Sequence, residues 1–246
     1  MDKMLYIAMT GAKNTLVAQD THSNNLANAS TTGFKADFAQ ARSMPVFGET
    51  HPTRVYSMTE QPGVNYESGP MQQTGNPLDV AVKGEGFLTV VDEQGQEALT
   101  RAGGLHVDVN GFMRTHTGQI VMGNAGPMII PPFETIEIGA DGGVSIRPLG
   151  QGAETIAEID RMKLVNPALD SIEKGLDGMF RPANGEVLPP AGEVQLQAGF
   201  LEGSNVSPVN SLLEILSLSR QFELGFKMMK EVEQMDQATD KLIQAS

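Results

Sequence analysis

The apolar positions at the start of the chain recur at helical spacing. Leu5, Met9, Ala12, Leu16, Gln19, Ser23 and Leu26 step by four and three in turn, a heptad seam filled mostly with apolar or small residues. The far end repeats the rhythm. Leu218, Phe222, Phe226, Met229, Val232, Met235 and Leu242 follow it with a gap near Thr239, and Lys, Glu and Asp fill the other faces. The pattern predicts two terminal helices of about 28 and 36 residues, roughly 40 and 55 Å long at the helical rise. The second has two available starts: Ser207 as cap with Pro208 in the first position, or a capping box from Ser211 to Glu214 one turn later.

Between the ends the pattern changes to strands and turns. Val80 and Val82 mark one strand, Gly84-Glu85-Gly86 a turn, Phe87 to Val91 an apolar strand, and "DEQGQE" a polar loop before the next. Asp108-Val109-Asn110-Gly111 and Asp141-Gly142-Gly143 predict further hairpins. Residues 36–74 alternate only weakly, with scattered prolines, and read as an extended connector with a hairpin. All fourteen prolines lie from Pro45 to Pro208, and of 27 glycines only Gly11 and Gly225 fall outside residues 33–208. Both ends are therefore free to be helical, and the middle is turn-rich. The expected fold is α+β: long N- and C-terminal helices pair as a coiled-coil-like helical domain made of residues 1–33 with 207–246. An extended connector follows at 34–74, and a mainly antiparallel β body at 75–206 is inserted between the helices.

Charge sharpens this division. Residues 1–35 carry three basic and two acidic side chains and residues 207–246 four and six, so nearly all of the net charge of −13 falls on the middle. Near-neutral amphipathic ends joined to an acidic body suggest that the ends pack against protein and the body faces solvent. Without clustered Lys and Arg, neither a nucleic-acid groove nor an anionic membrane surface is expected as a partner. The N-terminus lacks an apolar stretch of signal-peptide length, and no segment approaches the roughly 18 apolar residues of a membrane span. With no Cys, disulfides and thiolate metal sites are excluded.

Little in the sequence suggests catalysis. There is no G-x-x-x-x-G-K-[ST] loop, no H-E-x-x-H and no G-x-S-x-G elbow. Gly84-Glu85-Gly86 lacks the third glycine of a dinucleotide fingerprint and reads as a hairpin turn. His106 and His116 flank the Asn110-Gly111 turn, where they would face each other; ordinary surface histidines are the favoured reading over a metal pair. The chain is expected not to be an enzyme and to need no cofactor or metal.

One stretch stands apart. "NNLANASTTGFK" at 24–35 places Asn24, Asn25 and Asn28 at the end of the first helix and follows them with Thr31, Thr32, Gly33, Phe34 and Lys35. It resembles the N-terminal motif of bacterial flagellar axial proteins, the rod and hook subunits. "NPLDVAVKGEGFLTV" at 76–90, "LTRAGGLHVDVNGFMRTHTGQIVMG" at 99–123 and "GFLEGSNVSPVNSLLEILSLSRQFE" at 199–223 resemble that family in the same order, so the similarity covers nearly the whole chain. "MDKMLYIAMTGAK" and "SRQFE" look more like the proximal-rod member, with the distal-rod member as the alternative. A free-standing secreted β protein with coiled-coil oligomerisation is a further alternative.

The resemblance implies a structural subunit of the basal-body rod in the periplasmic space. Such a subunit is exported unfolded through the flagellar type III apparatus without a cleaved signal and polymerises helically with itself or other rod subunits. It implies that the terminal helices form an inner tube and the β body an outer wall. The candidate assembly residues are then Leu5, Met9, Ala12, Leu16, Asn24, Asn25, Leu26, Asn28 and Gly33 at one end. At the other they are Leu218, Phe222, Phe226, Met229, Val232, Met235 and Leu242. Asn and Gly tolerate the left-handed turn with which the chain would leave the inner helix, and the three asparagines would offer amides to neighbouring subunits.

Overall fold

A computed structural model describes residues 4–38, 41–45, 55–59, 63–92, 94–150 and 155–244. The chain divides into two compact units. One comprises Met1–Ala29, Ala36–Tyr66 and Val206–Ser246, the other Ser30–Lys35 and Glu67–Asn205.

The first unit is built on two helices, α1 (Met4–Ala27, 24 residues) and α2 (Pro208–Gln244, 37 residues). Of the two available starts for α2, the structure selects the earlier: the Asn210 amide donates to Ser207 Oγ at 3.4 Å, with Pro208 in the first helical position. The helices pack against each other, and Gly225 marks a close approach, since a Cβ placed there would lie 3.9 Å from that of Ala12. The stretch read as a connector contributes four strands to this unit. β1 (Asp37–Phe38) pairs with β4 (Gly63–Val64), and β2 (Ala41–Pro45) pairs antiparallel with β3 (Val55–Thr59).

The second unit is antiparallel β. It begins with β5 (Met71–Gln73), β6 (Val80–Lys83), β7 (Phe87–Val91), β8 (Glu97–Thr100), β9 (Leu105–Val107), β10 (Met113–Thr115) and β11 (Ile120–Val121). Next come β12 (Phe133–Ile138), β13 (Gly143–Pro148), β14 (Ala157–Arg161) and β15 (Leu164–Val165). β16 (Ile172–Lys174), β17 (Phe180–Pro182), β18 (Gln195–Ala198) and β19 (Phe200–Glu202) complete it. An eight-stranded sheet runs in the order β16-β17-β8-β7-β11-β10-β9, with β15 also on β7, and β12-β13-β14 form a second sheet.

The last two strands return to the first two: β18 pairs with β6, and β19 with β5. The inward positions of these sheets share one core, in which Leu88, Val90, Met113, Val121, Val144 and Ile146 are fully buried. Burying side chains of this size stabilises the unit by about 1.5–3 kcal/mol each before entropy is subtracted.

Three of the expected turns join paired strands: the loop after Asp92 (β7 to β8), Asp108–Gly111 (β9 to β10) and Asp141–Gly143 (β12 to β13). Gly84-Glu85-Gly86 does not. It connects β6 to β7, but β6 pairs with β18 whereas β7 lies in the eight-stranded sheet, so the expected hairpin turn is a bend between sheets.

Arg181 on β17 ties two turns together, donating to Asp92 at 2.9 Å and to Asp177 at 2.7 Å. These hydrogen bonds hold both carboxyls below the ordinary carboxylate range. Their contribution to stability is therefore present above the unfolded pKa of about 3.9 and is lost as pH falls through the lowered folded values. Arg181→Leu should be less stable than the parent at neutral pH, and the difference should close below about pH 4, as read by urea unfolding across that range. A pH-independent difference would mean that the arginine acts through packing alone.

Candidate functional site

Ser30–Lys35, the second half of the asparagine motif, belongs to the β unit, and its chemistry centres on Glu202. This carboxylate closes β19 and is only 1 % exposed. Its Oε1 accepts from Lys35 Nζ at 2.7 Å and from the Gly69 amide at 3.0 Å, and its Oε2 accepts from Arg101 at 3.0 Å. The Arg101 guanidinium also donates to the Gly84 carbonyl and lies 5.3 Å from the centre of the Phe87 ring. Lys35 Nζ donates in addition to the Glu67 carbonyl. Burial pushes the Lys35 ammonium below its ordinary range, against the opposing effect of Glu202.

The surrounding contacts hold the short segment in place. The Gly33 amide donates to the Glu202 carbonyl at 2.8 Å. Lys174 Nζ donates to the Lys35 carbonyl and sits 3.9 Å from the centre of the buried Phe34 ring. Gly33 has φ +70, and a Cβ there would fall 2.3 Å from the Arg101 carbonyl carbon. Both backbone conformation and space thus require glycine.

The asparagines act differently from the expected left-handed exit. No residue other than glycine has positive φ among the described residues, so the left-handed turn belongs to Gly33 alone. Asn25 is buried and makes a two-point clamp on the backbone of Asp37 in β1, its Nδ2 donating to the carbonyl at 2.6 Å and its Oδ1 accepting from the amide at 2.8 Å. Asn28 Nδ2 donates to the Asn24 carbonyl at 3.0 Å, beside the bond that the Asn28 backbone amide already makes to the same oxygen at 3.1 Å, so both reinforce the last turn of α1. The amides of Asn25 and Asn28 are thus both used within the chain, while Asn24 is exposed.

The helical positions separate into two sets. On α1, Ala12 is buried and Leu26 half-buried, but Leu5, Met9 and Leu16 are exposed, Met9 at 54 %. The covered face of α1 is made of small residues, with Ala8, Gly11, Ala12, Thr15 and Ala18 at buried or half-buried positions. The helix is thus rotated relative to the seam expected from its larger apolar residues. On α2, Leu218, Phe222, Met229 and Val232 are half-buried on the face that includes Gly225, whereas Phe226 (59 %) and Met235 are exposed. Leu242 lies outside the residues whose side chains are described. Leu213, Leu216, Leu224 and Met228 add to the exposed apolar surface of α2. His106 and His116 do come together, with ring centres 5.9 Å apart.

Lys35, Arg101 and Glu202 were not picked out as a group from the sequence. The available signal was chemical incongruity: Glu202 follows the apolar Phe200-Leu201 directly, and Arg101 stands between a strand and Ala102-Gly103-Gly104. Each of the three lies inside a block quoted above for its family resemblance.

The architecture is a helical unit drawn from both ends of the chain and an antiparallel β unit drawn from its middle. Three family models match in chain order: "Flagella basal body rod protein" at residues 5–35, "Flagellar hook protein FlgE/F/G D1 domain" at 81–146, and "Flagellar basal body rod FlgEFG protein C-terminal" at 197–242. Relatives described as flagellar basal-body rod protein FlgF are similar over nearly all of their length. Those of Escherichia coli K12 and Salmonella typhimurium LT2 are 36 % and 34 % identical, each alignment covering 100 % of both chains. That of Caulobacter vibrioides is 30 % identical over 97 % of this chain and 96 % of its own. The chain belongs to the flagellar basal-body rod protein family.

Glu202→Gln should leave Lys35 and Arg101 buried without their counter-charge and destabilise the protein by about 3–5 kcal/mol, measured by urea unfolding. A loss under about 1 kcal/mol would show that the cluster is effectively solvated. Gly33→Val should be comparably damaging, since its Cβ would overlap the Arg101 backbone.

Proposed function

We propose that the chain is a structural subunit of the proximal rod, polymerising helically with itself or with other rod subunits into a hollow shaft across the periplasm. It passes unfolded through the flagellar type III export apparatus without signal cleavage. In the assembled rod, α1 and α2 pair in coiled-coil fashion with the helices of neighbours to form the inner tube, and the β unit forms the outer wall. Family membership supports the rod assignment.

The observation that carries the assembly reading is the apolar surface left on the helical unit. Leu5, Met9 and Leu16 on α1, and Leu213, Leu216, Leu224, Phe226 and Met235 on α2, are all exposed. Large apolar side chains left uncovered on a folded surface in this number mark association surfaces. Helix faces that the fold does not cover give a subunit material for contacts with several neighbours. A head-to-tail arrangement that does not close on itself generates a helical filament.

Phe226→Asp tests this. The side chain is exposed in the single chain, so the thermal midpoint of the purified protein should change little. In a strain carrying only this variant, buried and unpaired charge at every subunit contact should strongly reduce completed basal bodies seen by electron microscopy, and swimming with them. Normal swimming would remove this face of α2 from the assembly. A large fall in the thermal midpoint would place Phe226 in an intramolecular core instead.

A further inference from the structure

Two imidazoles meet on the β9–β10 hairpin for a reason that the rod architecture does not supply. In that ladder Arg114 lies opposite His106, and the His116 amide donates to the Gly104 carbonyl. His106 and His116 are therefore diagonal neighbours, two residues apart in register, on one face of an antiparallel pair. Both are exposed, while Leu105, Met113 and Thr115 turn into the body and fix the hairpin. The rings stand edge to face with centres 5.9 Å apart and planes at 69°.

We propose that His106 and His116 form a two-imidazole site for a late first-row divalent cation such as Zn2+ or Cu2+. A metal bound at about 2.0–2.1 Å by each of two ring nitrogens in tetrahedral geometry sets the ring centres about 5 Å apart. The observed separation is within reach of that value by small rotations of two exposed side chains on a fixed backbone. Gly104 makes room on the inner side, because a Cβ there would fall 2.6 Å from His116 Nδ1. The Nδ1 edge of His116 is thus turned toward Gly104, and Nε2 is the nitrogen that points away from it.

The cation opposite His106 in the ladder is already paired. Arg114 donates to Asp108 at 2.8 Å and to the Gly118 carbonyl at 2.7 Å, which engages its charge. No group of three or more His, Cys, Asp or Glu side chains capable of holding a metal gathers among the described residues. Water therefore completes the coordination, and the ion keeps open positions as in other incompletely ligated sites. Neutral imidazole suits Zn2+, Ni2+ and Cu2+, with Cu2+ bound most tightly.

The test is a Zn2+ titration of the full-length chain followed by NMR of the histidine rings. The expected result is saturable 1:1 movement of the His106 and His116 resonances, with those of His22 and His51 unchanged. His106→Ala and His116→Ala should each weaken binding about tenfold or more, equivalent to at least 1.4 kcal/mol, without altering the thermal midpoint of the metal-free protein. The same midpoint should rise with Zn2+ in the parent and in a His22→Gln, His51→Gln variant, but not in the His106→Ala, His116→Ala variant. If Zn2+ moves neither ring, or the variant lacking both imidazoles binds as tightly as the parent, the site does not exist.

Discussion

A carboxylate buried to 1 % exposure between two cations is the constraint around which the β unit is organised. Glu202 could not remain charged there alone, because removing an ion from water costs several kcal/mol even after relaxation. Lys35 and Arg101 offset that cost only if their geometry is held, and the Gly69 amide, the Gly84 carbonyl and the Glu67 carbonyl hold it. The partners lie 167 and 101 residues from Glu202 along the chain, so the cluster cannot form until distant segments have been gathered. Three separate blocks of family resemblance meet in it. The segment ending in Gly33-Phe34-Lys35 is therefore a fitted part of the β unit, although its flanking residues on both sides belong to the helical one.

The helical unit follows a different economy. Its internal packing sets small side chains on α1 against a face of α2 that carries Leu218, Phe222, Gly225 and Met229, so the backbones approach closely at Gly225 while Leu5, Met9 and Leu16 on α1 are left uncovered. Tight pairing through small residues gains less from apolar burial than a leucine-filled seam would. Large apolar side chains of both helices, Met9 and Phe226 among them, thus stay outside this packing. Packed positions and exposed apolar positions are divided between different faces of the same helices.

This division explains what could be read from the sequence and what could not. Proline and glycine placement located the helices and the β region, because both residues act on the local backbone. The Asn110-Gly111 and Asp141-Gly142 turns joined paired strands as read. Gly84-Glu85-Gly86 misled because a turn signal reports that the chain bends and is silent about which strand lies alongside afterwards. The covered face of α1 was read only in part: Ala12 and Leu26 belong to the expected seam, but Gly11, Thr15 and Ala18 carry almost no hydrophobic signal, while the exposed Leu5, Met9 and Leu16 carry a strong one. The ion cluster was illegible for a third reason: it is a relation among residues brought together by folding, and no local pattern at Lys35, Arg101 or Glu202 announces its partners.

The pairing of β5 with β19 has a mechanical meaning. Met71 lies opposite Glu202, so the polypeptide enters the first strand and leaves the last at the same end of this short antiparallel pair. Tension drawing residues 67 and 205 apart would load its cross-strand bonds one after another, the unzipping direction in which a ladder resists least. Glu202 stands at the loaded end, with the Gly203 amide bonded to the Pro70 carbonyl beside it and Lys35 and Arg101 gripping its carboxylate. Outside it the Asn205 side chain donates to the Glu67 carbonyl, and behind that bond the contacts of the Glu202 carboxylate with Lys35 and Arg101 are charge-assisted and shielded from water, where such bonds are strongest. The ion cluster thus acts as a clasp near the place where an unprotected zipper would begin to open.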